Sequence, residues 1–558
     1  MNVRHLWPAM ALAALLGVAH LAVVPTFWPV DETAHVAYAT VLVEHGRVPS
    51  IDDPIPRDLG QPGLSQRLYW ERDQGRLGRM DIWTANHPPL PYAIQGGALR
   101  LGDGLIGRGG GMALARLTST AWLVLGVWAT GALASRLAQP VRGRARRRWG
   151  PKPIGALAAT TVAVTPTLSH LAGVVFNDTA GFAMTTCCLL LGVETALRGP
   201  GRRTLPLLAL LTAAGGLTRV TVLPAVGLMW LLVAYGWWRT APADRPILRP
   251  QQALWGLAVL PPAAFWIGNI VRYGDPTAST WLLEKFHRDL NEPLATLLGS
   301  RTVWLRLWDR MLSDLTTGHW AGGLRADLTE AVLVAGLIGA GLGVARWVRG
   351  PRAASSRTRR HSPADRLRRN PVAVCWAACV VLVAFLALAA LEFHASGGSL
   401  HGRYGIGGMA VVASGIVVLL AAAGRIGRVA ATLVPAVLMA VNGLLLAAVI
   451  NDHSATWRRP GIEIDLPRLT GDAGPALAAV LFLLATGLLM ATLVAGPGTV
   501  PAATVRRARR VLADPARRVL PGRALPGRVL TGRVLTGRVV QLDEDGQPIS
   551  ASKRSAAV

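Results

Sequence analysis

The chain has 558 residues, of which 51% are hydrophobic and only 16% charged, with a mean hydropathy of +0.38. A water-soluble chain of this length would divide into several domains and need far more polar surface, which excludes the ordinary soluble enzyme. The formal charge of +27 invites a nucleic-acid partner, but the basic residues cluster in linkers between apolar runs, at 142–152, 198–203, 346–369 and after Gly496. That is how a cytoplasmic membrane face is charged, so no nucleic-acid partner is expected.

Apolar runs of about twenty residues match the hydrocarbon thickness of a bilayer. Only helices satisfy their backbone at that depth, so the expected fold class is all-α integral membrane. In chain order the spans fall at 7–28, 112–136, 154–175, 179–197, 204–218, 220–238, 253–271, 328–347, 371–392, 404–424, 429–450 and 475–495, about twelve transmembrane helices in a domain covering 1–495. The first run, Leu6–Trp28, is too long for a signal-peptide core and lacks a cleavage site, so it reads as a retained span. The pair 204–218 and 220–238 is either two short helices meeting at Thr218–Arg219 or one broken segment. With two helices, every Arg-rich linker and both termini lie in the cytoplasm.

This topology places 29–111, 272–327, 393–403 and 451–474 outside, with a tight turn at Phe176–Asp178. The large outer loops 29–111 and 272–327 carry Trp83, Trp281, Trp304 and Trp308 and an amphipathic stretch at 302–315. These features suit helices lying in the membrane interface. Cys187, Cys188, Cys375 and Cys379 fall inside apolar runs and read as buried small hydrophobes. Residues 496–558 contain a short Leu-Pro-Gly-Arg and Leu-Thr-Gly-Arg repeat over 520–538. Gly and Pro at such density prevent a regular helix, so a basic, disordered cytoplasmic tail is expected near anionic headgroups.

The chemistry-bearing residues lie on the outer side. Asp31, Glu32, His35 and Tyr38 follow the first span. A helix starting there puts Asp31, His35 and Tyr38 on one face. The acidic pair can take a proton from an acceptor hydroxyl or hold a divalent metal against a phosphate; equally, Asp31 can cap the helix and Glu32 can favour its dipole. His87 and Tyr92 flank a Pro-rich entrance to the next helix, where His87 either donates to a phosphate or is simply solvated. Asn177 and Asp178 form the turn between the third and fourth spans, as site residues or as a helix cap. Arg219, Arg272 with Asp275, and Arg403 with Tyr404 stand at the outer membrane edge. Each arginine alone can snorkel, whereas several converging on one cavity would make an anion site.

In this order, Asp31-Glu32 with His35, His87-Pro88-Pro89-Leu90 with Tyr92, Asn177-Asp178, Arg272-Tyr-Gly-Asp-Pro276 and Gly402-Arg403-Tyr404 resemble the multi-spanning glycosyltransferases of the GT-C fold. That group includes protein O-mannosyltransferases and aminoarabinose transferases. A family of bacterial membrane proteins related to that fold is closer still. The resemblance covers most of 1–450 as short ordered motifs. It implies a sugar donor linked to polyprenyl phosphate, an envelope glycan, lipid or protein as acceptor, transfer at the outer face of the plasma membrane, and inversion at the anomeric carbon. Asp31 would be the catalytic base, with Glu32 assisting or binding a divalent metal. His35, His87, Asn177 and Asp178 would line the cavity. Outer sidedness, more than the resemblance, makes Arg219, Arg272 and Arg403 candidates to grip the lipid phosphate, and Tyr38, Tyr92, Asp275 and Tyr404 complete the expected substrate-binding set. The chain departs from the pattern at Gly405-Ile-Gly-Gly408, where a bulkier run ending in proline is expected. Two other functions compete: a transporter or flippase of a lipid-linked sugar or envelope lipid, and a non-catalytic envelope-assembly protein. The first places ionisable groups in mid-span and often shows internal repeats, whereas here such charges are few, mainly Arg116 and Glu194 near span ends, and the two halves show no repeat.

Overall fold

The computed structural model describes residues 4–27, 31–56, 59, 81–138, 150–246, 250–286, 288, 292–313, 327–334, 370–398, 400–451, 456–459, 462–465 and 468–496. Among these, nine helices are long and apolar enough to cross a membrane, or ten if the bent pair Pro151–Ala163 and Pro166–Ala172 is one span. The protein is an all-α, multi-pass membrane protein. Its described strands are a short antiparallel ladder, Thr456–Arg459 with Ile462–Asp465, in the segment expected to loop outside. The tail after Gly496 lies outside the described residues.

The helices divide into an enclosed core and a lipid-exposed rim. In the Asp178–Arg198 helix 72% of the apolar window is buried, and in Arg4–Val23 67%, against 11% in Leu254–Tyr273 and 22% in Pro371–Ala395. Apolar side chains such as Ile267, Val271, Val380 and Val381 remain exposed on the rim, a cost in water that vanishes against acyl chains.

Two expected spans take a different form. The run at 154–175 bends by 64° because Thr165, which precedes Pro166, is extended (φ −67°, ψ 120°). A residue before proline is driven out of the helical region, and proline itself offers no N–H to the preceding turn. The run at 204–218 is a 13-residue helix, Thr204–Gly216, about 20 Å long and too short to span alone. It stops before Arg219, which is extended (φ −166°, ψ 149°), and the chain resumes as helix at Val220. The chain here is two helices broken at Arg219, of which Val220–Arg239 has the length and composition of a span and Thr204–Gly216 does not. The expected span at 328–347 is described only to 334.

Buried polar groups cross-link the core. His20 Nε2 meets Asn442 Oδ1 at 2.9 Å, and Asn442 Nδ2 donates to Ser169 Oγ at 2.9 Å. These bonds tie the first span, the bent segment and the Arg425–Asn451 helix together. Gly173 makes their close approach feasible, since a Cβ there would stand 2.7 Å from the Leu21 backbone nitrogen. Of the two mid-chain charges, Glu194 pairs with Arg136 and Arg198. Arg116 pairs with Glu32, and both side chains are wholly buried.

The Arg116–Glu32 pair organises one end of the bundle. Arg116 Nε and NH2 donate to Glu32 Oε1 and Oε2 at 2.9 and 2.6 Å, while NH1 and NH2 donate to the carbonyls of Val24 and Pro25 at 2.7 and 2.8 Å. Glu32 also accepts from Phe27 N and Val175 N, each at 2.8 Å. Phe27 holds a left-handed backbone (φ 64°), which a bulky residue adopts only when its surroundings enforce it. One carboxylate thus fixes the end of the first span, the start of the Asp31–His45 helix, and the turn after the bent segment. Removing one member of such a pair strands the other charge. Glu32→Gln or Arg116→Met should each cost about 3–5 kcal/mol, read as a large fall in unfolding temperature in detergent. Combining both should be milder than the sum, and wild-type melting of either single variant would contradict this role.

Candidate functional site

The ends of several segments meet where the first span exits and where the Asp178–Arg198, Val220–Arg239 and Gly402–Ala422 helices begin. There a cavity of about 690 Å³ opens, lined by Asp31, His35, His87, Asn177, Asp178, Arg219, Arg403 and Tyr404 from the expected set. Five expected residues, Glu32, Tyr38, Tyr92, Arg272 and Asp275, do not reach it.

Asp31 stands in the first turn of the Asp31–His45 helix, and its Oδ2 accepts from Arg403 NH2 at 2.7 Å. Burial raises the Asp31 carboxyl, but the charge and hydrogen bond of Arg403 outweigh burial and hold it below the ordinary carboxylate range. One turn on, His35 shares the face as the helical spacing predicts. Tyr38, on the same side, is enclosed behind it: its hydroxyl donates to the His87 carbonyl at 2.9 Å, and its ring stacks on Tyr92 at 3.9 Å between centroids. The Tyr92 hydroxyl meets His35 Nδ1 at 2.8 Å, and the His35 and His87 rings lie stacked 6.0 Å apart. The tyrosines therefore set the histidines in place from behind. Burial, reinforced by the positive charges of Arg219 and Arg403, pushes both histidines well below their usual range. Near neutral pH they are uncharged hydrogen-bonding groups.

The second carboxylate is paired as well. Arg219, at the break between two helices, donates through NH1 to Asp178 Oδ1 and, at 3.1 Å, to Asn177 Oδ1. The two guanidiniums share one aromatic neighbour: Arg219 lies 5.9 Å and Arg403 5.7 Å from the centre of the Tyr404 ring. Arg403 Nε and Asn177 Nδ2 are buried donors without a hydrogen-bond partner. Two guanidiniums, one with an unused Nε–H, and the unused Asn177 amide form an arrangement suited to an oxyanion.

Glu32 lies outside the cavity with four donors on its two oxygens, so its next-door neighbour Asp31 faces the cavity alone. This donor set does not fit a metal shared by the two carboxylates, and among the described residues no group of three or more His, Cys, Asp or Glu converges on a cation position. Arg272 is exposed. Asp275 instead organises the 275–280 turn, accepting from Thr277 N, Thr277 Oγ1 and Ser279 N through one oxygen and from Thr280 N through the other. Burial raises its carboxyl, and these hydrogen bonds together outweigh burial and lower it. That turn is clamped to the 83–87 segment: Asn86 Nδ2 donates to Thr277 O at 2.6 Å, and Asn269 Nδ2 to Asn86 O at 3.0 Å.

Sequence reasoning passed over much of the remaining lining. Phe385, Leu386, Ala389 and Phe393 form an apolar wall, while Trp83, Phe286 and Arg288 form an aromatic edge; His401 also contributes. Within an apolar run, Phe385 and Phe393 carry no signal separating them from lipid-facing neighbours. His401, two residues before Arg403 in the same motif, did carry one.

What fold and site define together is a multi-pass α-helical membrane protein with a half-enclosed, arginine-rich cavity at one end of its bundle. No protein family and no curated protein matches the chain. Among solved structures it is similar to ArnT from Cupriavidus metallidurans bound to undecaprenyl phosphate (TM-score 0.30) and in the apo state (TM-score 0.32), at 16% identity over 75% of this chain and 78% of that one. So loose a likeness carries no argument about this chain.

A carboxyl held down by one guanidinium has a direct signature. In infrared titration with Asp31→Asn as the subtraction blank, the Asp31 carboxyl should protonate below the ordinary value of about 3.9. Arg403→Leu should raise it, because the largest contributions opposing burial are then gone. The sign follows from linkage: the pair adds stability above the unfolded-state value, and this is lost as pH falls through the lower folded value. Identical titration in both proteins would overturn the assignment.

Proposed function

We propose that the protein is an inverting membrane glycosyltransferase of the GT-C kind, moving a sugar from a polyprenyl-phosphate-linked donor to an envelope acceptor at the outer face of the plasma membrane. The observation that carries the reading is the juxtaposition of one ionised carboxylate, Asp31, with two guanidiniums and the orphan donors Arg403 Nε and Asn177 Nδ2, beside an apolar wall built on the lipid-exposed Pro371–Ala395 helix. A phosphate carrying a long alkyl chain matches both halves, its anion against the donors and its chain along the wall.

The arrangement divides the labour. The donor's phosphate competes with Asp31 for Arg403 and settles between Arg403 and Arg219. Asp31, released from its partner, accepts the proton of the acceptor hydroxyl. The acceptor oxygen then attacks the anomeric carbon from the face opposite the phosphate. As the carbon–oxygen bond to phosphate breaks, the leaving polyprenyl phosphate takes the electron pair and is stabilised by the two guanidiniums. His35 and His87, uncharged, orient hydroxyls without adding positive charge. Glu32 does not touch the reactants; its role is to fix the first turn of the helix that carries Asp31.

With detergent-purified protein and a polyprenyl-phosphate sugar, Asp31→Asn should lower kcat by about 10²–10⁴-fold while donor KM falls, because the phosphate no longer competes with a carboxylate for Arg403. Arg403→Ala should chiefly raise donor KM. In cells at matched expression, Asp31→Asn should lose the same envelope glycan as a deletion strain. Wild-type glycans in the Asp31→Asn strain would remove the catalytic reading and favour transport or assembly.

A further inference from the structure

We propose that the aromatic edge of the cavity, Trp83 with Phe286 and Arg288, is an acceptor subsite that selects an acidic saccharide. The inference rests on the glycosyltransferase reading above and adds the chemical class of the acceptor.

Burial decides which end of the cavity the acceptor uses. Asp178, Arg219 and His35 are buried and Asp31 is half-buried beside them, whereas Phe286 is 43% exposed and Arg288 is exposed. The donor's phosphate and chain are accounted for by the deep arginines and the apolar wall. What enters from the aqueous mouth with its hydroxyl toward Asp31 passes over Trp83 and Phe286.

The chemistry of this edge is that of sugar recognition. The Trp83 and Phe286 rings are set edge to face with centroids 6.4 Å apart, offering flat apolar surface to the C–H face of a sugar ring. Beside them Asn86 Oδ1 is a buried acceptor with no hydrogen-bond partner, although Asn86 Nδ2 is committed to Thr277 O. An orphan acceptor calls for a donor from the ligand, which a sugar hydroxyl supplies and a phosphate does not. Ser279 Oγ, bonded to Thr277 Oγ1 at 2.7 Å, adds a hydroxyl on the same side of the cavity.

Arg288 supplies the selectivity for charge. Its guanidinium carbon lies 5.4 Å from the centre of the Phe286 ring, a contact that orients the side chain without neutralising it. Among the described lining residues, Arg403 pairs with Asp31 and Arg219 with Asp178, and Arg288 is the guanidinium left without a carboxylate. A carboxylate on the incoming sugar completes the balance.

Binding in the absence of donor tests this separately from catalysis. Digalacturonate and the neutral digalactoside would be titrated calorimetrically into the full-length protein in detergent. The acidic probe should bind about three- to tenfold more tightly at low salt, the advantage shrinking as ionic strength rises. Arg288→Gln should abolish the preference while leaving neutral binding in place. Trp83→Ala, or Trp83→Phe if the alanine variant melts early, should weaken both probes. Equal binding of the two probes, a preference that survives Arg288→Gln, or glycerol phosphate binding as tightly as digalacturonate with no dependence on Trp83 would each overturn the proposal. Asp31→Asn separates the two readings. If selective binding persists but no donor supports transfer by the wild type, the enzyme reading fails and what stands is a binding site for acidic saccharides. If transfer depends on Asp31 but the preference is absent, the subsite fails and the enzyme stands.

Discussion

The structure depends on a charge that never reaches the functional cavity. Glu32 and Arg116 are both fully buried, and a pair in that position survives only when nearly every lone pair and N–H of both groups is used. Here the remaining bonds go to the backbone of Val24, Pro25, Phe27 and Val175, so satisfying two side chains also dictates the path of three chain segments. Asp31 precedes Glu32 by one residue. Successive helical residues diverge by about 100°, so anchoring Glu32 inward leaves Asp31 facing the cavity. Adjacent carboxylates thus acquire opposite fates from helical geometry alone.

Electrostatic balance sets the character of the cavity. Asp31 and Asp178 are each matched by one arginine, and the histidines are kept neutral by burial and by those same arginines. Such a site is poised rather than strongly charged. A ligand phosphate does not enter an empty cationic well; it replaces a carboxylate already in place and displaces it toward the next reactant. Fixed dipoles and guanidiniums in a half-enclosed space need little reorganisation to do this. Backing by Tyr38 and Tyr92, which reach His35 and His87 from behind, adds the rigidity that precise hydrogen bonding requires.

The membrane class was legible because twenty-residue apolar runs are dictated by bilayer thickness, a constraint written directly into composition. The bend at Thr165 was less so: Pro166 was visible, but a proline within an apolar run can kink a span or leave it nearly straight. Within the site, the residues brought together by spacing or by helix ends, Asp31 with His35 and Asn177 with Asp178, were readable as neighbours. The separation of Glu32 from Asp31 was not, because it depends on Arg116, 84 residues away and apparent in sequence only as an odd charge inside a span. Arg272 and Asp275 show the converse. Their motif is conspicuous, yet Asp275 spends its oxygens on its own turn, a local competition that Asp residues enter readily in loops.

The distance along the chain between Asp31 and Arg403, 372 residues, has a consequence for biosynthesis. On a ribosome adding about 5–20 residues per second, roughly 20–75 s pass between the emergence of the carboxylate and that of its guanidinium. Glu32 waits for Arg116 only about 4–17 s on the same clock. The nascent chain can therefore weld its first two spans early, holding Asp31 in its final direction through most of translation. The cavity acquires its charge balance only after the last third of the protein has begun to insert, and a chain released before that point carries the carboxylate without its partner.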